Sequence, residues 1–188
     1  MPNKFIQPPD AGPTGLSAPF DQSAARVRKL ADDWTCGEDG EISKVTLWVS
    51  FLDDALPKGG VAGVRLGVRA DAPADPGRPG APLAQWDLEP SELSLSPHVG
   101  PVTGRFWDPA TGQALGADTQ VRRLDCFVPK GQRFIQRRGA TYWLCAFVVA
   151  GEGAAPCGWR TFHMAPGAAA WTDDELRDPP TASWAAMR

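Results

Sequence analysis

Glycine and proline interrupt this chain too often for long helices: 20 Gly and 19 Pro are spread over 188 residues, between short apolar runs. Such punctuation belongs to an all-β protein with many turns. The runs themselves alternate. In EISKVTLWVSFL, Val45, Leu47, Val49 and Phe51 fall on one face and Lys44, Thr46, Trp48 and Ser50 on the other, the period of a half-buried strand. GVAGVRLGVRAD repeats the pattern with Val64, Leu66 and Val68, and ARVRKLADDWT alternates well enough for a first strand. TYWLCAFVVA is apolar on both faces, as a central strand would be. With APLAQWDL, ELSLS, GRFWD, VRRLDCFV and GWRTFHM there are about nine strands, a spacing that predicts an antiparallel two-sheet β-sandwich, jelly-roll-like, with little helix.

The length suits a single domain, 1–188, able to bury roughly 70% of its unfolded surface without a metal or disulfide. Pro8 and Pro9 stiffen an extended N-terminal arm, 1–20, and residues 165–188 read as an irregular tail. A net charge of −3 gives no field for phosphate backbones, so nucleic acid is a poor partner. No apolar run has the 18 or so residues of a membrane span, and MPNKFIQPPD lacks the apolar core of a signal peptide.

Two carboxylate pairs, Asp32-Asp33 and Asp53-Asp54, suggest a metal site, an acid–base couple or turn chemistry. A hairpin of Arg26–Trp34 with Ile42–Phe51 would hold the pairs about 30 Å apart, beyond the roughly 6.5–9.5 Å of paired glycosidase carboxylates. Neighbours on a strand also face opposite ways. In a meander, Asp71 would return to the end that holds Asp33, near Asp39 and Glu41, so Asp33 and Asp71 are candidate ligands for a calcium ion. Acidic residues crowd ordinary turns as well. No nucleotide loop or nucleophile elbow is present, and a hydrolase would need His98 or His163 as its base.

Eight tryptophans stand against one tyrosine. Trp34 and Trp143 read as core plugs. Trp48 shares its face with polar residues, and Trp171 lies in the tail, so these two are the candidates for stacking on a glycan or anchoring a protein. The four cysteines show no metal spacing, which leaves buried thiols or disulfides. Were VRRLDCFV and TYWLCAFVVA antiparallel neighbours, Cys126 would lie opposite Cys145, within the 7 Å or so that a bridge requires.

The motifs KFIQPPD, LADDWTC, LWVSFLDD, RFWDPATG, YWL, GW and WTDD, in this order over nearly the whole chain, resemble an uncharacterised family of bacterial exported β-sandwich domains. The resemblance implies an extracellular or cell-surface location, disulfides over free thiols, and no known activity. It therefore implies a non-catalytic binding or structural module with a protein or glycan partner; the alternative is a carbohydrate-binding module using exposed Trp, calcium-stabilised. Such domains are expected to continue past WTDD through a further strand, so an open sheet edge available for self-association is also expected here.

Overall fold

The computed structural model describes residues 7–10, 12, 15–20, 27–72, 77–97, 102–108, 111–151, 155–160, 169–174 and 185–186. Their strands are β1 Leu16–Pro19, β2 Val27–Thr35, β3 Gly40–Glu41, β4 Lys44–Phe51, β5 Val61–Ala72, β6 Arg78–Leu88, β7 Leu93–Pro97, β8 Gly104–Asp108, β9 Gln113–Asp118, β10 Arg122–Phe127, β11 Ile135–Gln136, β12 Thr141–Ala150, β13 Cys157–Arg160, β14 Ala169–Asp174 and β15 Ala185–Ala186. Helix among these residues is confined to 3-10 turns at Leu52–Asp54, Pro90–Glu92 and Lys130–Gln132. None is long and apolar enough to cross a membrane.

The strands form a seven-stranded sheet A, ordered β7-β10-β4-β13-β1-β8-β9, and a six-stranded sheet B, ordered β15-β14-β2-β12-β5-β6, with a small β11-β3 ribbon. Pairing is antiparallel apart from β1 with β8. Strand alternation decides what lies between the sheets. Leu47, Val49 and Phe51 of β4 and Leu124 of β10 face Leu30 of β2, Val64, Leu66 and Val68 of β5, and Trp86 of β6 in one core. Each such side chain contributes about 1.5–3 kcal/mol when fully buried. Arg28 of β2 and Asp108 of β8 tie the sheets together with an ion pair at 2.9 Å, its side chains 7% and 14% exposed.

The all-β sandwich and the central place of TYWLCAFVVA agree with the sequence reading, since β12 lies between β2 and β5. The assumed first hairpin does not form. β2 joins sheet B and β4 joins sheet A, so Cys36–Ser43 crosses between sheets instead of turning back within one. The arm is also shorter than expected, because Leu16–Pro19 enters sheet A between β13 and β8. The tail adds β14 and β15 to sheet B beside β2.

The outer face of sheet A is sealed by a polar cluster. Arg160 and Asp118 are both fully buried and joined at 3.0 Å through Nη1 and Oδ1. Ser17 donates to Asp118 at 2.6 Å and Ser50 donates to Ser17 at 2.7 Å. Arg160 also donates to the carbonyls of Asp10 and Thr103, which fixes the arm over the sheet. The pair needs the glycine beneath it: a Cβ at Gly104 would lie 1.8 Å from Arg160 Nη1 and 1.9 Å from Asp118 Oδ1.

Candidate functional site

Trp48 projects from the polar face of β4 and is half-buried. Its indole Nε1 donates to the carbonyl of Gln7 at 2.9 Å, while the Gln7 side chain hydrogen-bonds Asp32. One arm residue thus joins a sheet A tryptophan to a sheet B carboxylate. Burial pushes the Asp32 carboxyl up to about 7, with the charge of Asp33 adding and the hydrogen bonds of the Asp33 N–H and Gln7 opposing. With its N–H committed, Trp48 offers a ligand only its ring face.

Asp33 and Asp71 do come together, though by another route than a meander. β12 pairs with both β2 and β5, so Asp33 stands opposite Trp143, whose other neighbour is Arg69, and Asp71 lies two residues farther along β5. Trp143 Nε1 donates to Asp71 Oδ1 at 2.9 Å, so one carboxylate oxygen already has a partner. Asp33 is raised above the ordinary carboxylate value, first by burial and then by the negative charge of Asp71, against the pull of its own backbone N–H. Asp32 bonds on the other face of β2, as neighbours on a strand must. Asp39 and Glu41 turn elsewhere, Asp39 accepting from the Arg138 N–H at 2.6 Å and Glu41 pairing with Arg133 at 3.1 Å. Among the described residues no three carboxylate, thiol or imidazole groups converge as metal ligands.

Asp53 and Asp54 are turn residues, with φ of 53° and 57°, a left-handed backbone that short polar side chains tolerate. Asp54 accepts from the Thr119 and Gln120 N–H groups at 2.9 Å each. Its burial raises the carboxyl, but these bonds, the Thr119 hydroxyl and nearby Arg122 outweigh that and hold it below its usual range.

The expected Cys126–Cys145 bridge is overturned. β10 and β12 lie in different sheets; Cys126 belongs to the main core, and Cys145 packs with Ala31 and Trp143 on the outer face of sheet B. None of the four cysteines is bridged, and all are buried. Burial pushes the Cys126 thiol up to about 12, with Asp125 adding, and raises Cys157 as well, so neither is a ready nucleophile. Trp34 and Trp86 are structural: Trp34 donates to Gln136 Oε1 and stacks beside Tyr142, and Trp86, 2% exposed, donates to the Gln132 carbonyl. Trp171 belongs to β14 by its backbone, opposite Leu30. His98, His163 and Trp184 lie outside the described residues.

The Arg160–Asp118 pair escaped the sequence reading because its members lie 42 residues apart and no local motif links them. In contrast, the quoted motifs reappear as partners in these bonds: Gln7 and Asp10 in the first, Asp54 at the end of LWVSFLDD, and Asp108 in RFWDPATG. No curated protein and no solved structure matches the chain. The profile of one family matches residues 3–187, and the chain belongs to that family, described as Domain of unknown function (DUF7901).

Proposed function

We propose that the chain is a non-catalytic binding or structural module of the kind carried on exported or surface proteins, with a protein or a glycan as its partner. The observation that carries this reading is where the motif residues spend their polar groups: on partners within the fold. Gln7 links Trp48 to Asp32, the Asp10 carbonyl holds Arg160, Asp108 holds Arg28 and Asp54 caps the Thr119 turn. A catalytic set needs groups aimed at a shared point where a reacting atom can sit. Here Asp32 and Asp33 diverge, and Asp71 is engaged by Trp143.

Placement outside the cell rests on the motif resemblance. Four buried cysteines without a bridge are compatible with a reducing compartment too, so a thiol count on protein taken from its native host bears directly on that part. A glycan partner would use the ring face of Trp48. Calcium would have only Asp33 and Asp71 among the described carboxylates, where that cation takes about six to eight oxygens. Self-association would use a strand at a sheet border, such as β9, whose Leu115 is 49% exposed.

Thermal unfolding in calcium, in EDTA and against soluble glycans tests the reading. A ligand at 100 times its Kd adds about 2.7 kcal/mol, visible as a shift of several degrees. The protein-binding or structural reading expects an unchanged midpoint in every case. A glycan shift abolished by Trp48→Ala would replace it with the carbohydrate-binding alternative, and a turnover assay that registers hydrolysis would end the non-catalytic reading altogether.

A further inference from the structure

Gly67 sits in the interior of β5, where a glycine weakens a strand and often marks the close approach of another group. No backbone constraint calls for it, since its φ lies outside the left-handed range and a Cβ there would meet only ordinary contacts, Ala84 O at 3.6 Å and Cys145 Cβ at 3.8 Å. What its missing side chain leaves is a hollow. Val64, Leu66 and Val68 point into the core, so Arg65, Gly67 and Arg69 point together to the outer face of sheet B. Across the strand pair, Phe147 stands opposite Arg65 and Cys145 opposite Gly67, and Lys29 lies one residue before the Leu30–Ala146 pair on the neighbouring strand. The result is a groove lined by Lys29, Arg65 and Arg69, with Phe147, Pro82 and Ala84 as apolar walls.

The two guanidinium groups are held in place from outside the groove. Asp87 on β6 engages Arg65 through Nε, and the Gly80 carbonyl accepts from Arg69 Nε at 2.7 Å. Anchoring at Nε fixes the plane of each guanidinium, which reduces the entropy lost when it grips a partner. Planar, oriented guanidinium groups match the paired oxygens of a carboxylate or a phosphate group. We propose that the Gly67 groove is a binding site for a small oxyanion, with Arg65, Arg69 and Lys29 as its cationic walls. The apolar walls favour a carboxylate that carries a short hydrocarbon tail. The site lies across the sandwich from the sealed face of sheet A and does not depend on where the module is deployed.

The test is thermal unfolding of the whole chain in sodium butyrate, sodium phosphate and sodium chloride at matched ionic strength. Butyrate is expected to give a saturable rise in midpoint over chloride in the native sequence. That rise is expected to vanish in Gly67→Val, which fills the hollow with a residue suited to strands, and to shrink in Arg65→Gln. Should Gly67→Val fail to fold, Arg65→Gln carries the comparison. An equal, variant-sensitive rise with phosphate would also support an oxyanion site and assign it to phosphoryl ligands. A butyrate response no larger than that of chloride, or one that persists undiminished in both variants, overturns the proposal.

Discussion

The two outer faces of the sandwich use arginine in opposite ways. On sheet A, Arg160 is sealed: its carboxylate partner is buried with it, two backbone carbonyls take further N–H groups, and the arm closes over the top. On sheet B, Arg65 and Arg69 border an open groove and are anchored from its rim. A glycine underlies both arrangements. At Gly104 the space of the missing side chain is filled by the ion pair, and at Gly67 it is left vacant. The same two residue types therefore serve as internal stitching on one face and as a ligand cradle on the other. What separates them is the cover: the arm closes over Arg160, whereas the groove beside Arg65, itself paired with Asp87, stays open on one side.

The comparison predicts unequal costs for the same change. Gly104→Ala forces Arg160 and Asp118 apart in a fully buried site, and breaking a buried pair costs about 3–5 kcal/mol, or roughly 10 °C for a chain of this size. Denaturant unfolding measures it, and a loss under about 1 kcal/mol would show that the cluster is not as tightly sealed as described.

The second expected effect concerns the arm. Burial pushes the Asp32 carboxyl up to about 7 in the fold from its ordinary value of 3.8, so between these values the folded protein holds a proton that the unfolded chain releases. Stability therefore falls as pH rises from about 4 to 7 and levels above that, by an amount on the order of 4 kcal/mol. Asp32→Asn keeps the acceptor for the Asp33 N–H and removes the charge. Its stability at pH 8 should exceed that of the native sequence, and the difference should disappear at pH 4. An identical pH dependence for the two proteins would mean that Asp32 is hydrated and ionised in the fold.

The smallest effect is the mirror of the first. Gly67→Ala adds a methyl in ordinary contact and lowers the entropy of the unfolded chain, so stability should stay level or rise by less than about 1 kcal/mol. Urea midpoints for Gly67→Ala and Gly104→Ala, taken side by side, sharpen the contrast. Equal losses would erase it.

Alternation made much of this fold legible in the sequence, because burial on one face imprints period two directly on Val45–Phe51 and Val64–Val68. It does not say which sheet a strand joins. β2 and β4 look like a hairpin, yet the intervening segment crosses the sandwich, and the same blindness misplaced Cys126 beside Cys145. Asp33 and Asp71 nevertheless lie near each other, since β12 pairs with both of their strands. Trp48 was rightly read as only partly buried, but its bond to Gln7 links positions 41 residues apart, and no local pattern carries that information. The alternating R-x-G-x-R of Arg65, Gly67 and Arg69 was visible throughout. Its meaning depended on what neighbouring strands place around it, which Lys29, Phe147 and Asp87 supply only after folding.

The contrast between a sealed and an open face is tested most directly by mapping backbone amide chemical shifts during a titration with sodium butyrate, against chloride at the same ionic strength. The account predicts perturbations confined to Arg65–Arg69, Cys145–Phe147 and Ala84–Gln85, with the amides of Ser17, Ser50, Asp118 and Arg160 unmoved. Shifts centred on those four residues, or an unresponsive spectrum, would contradict it.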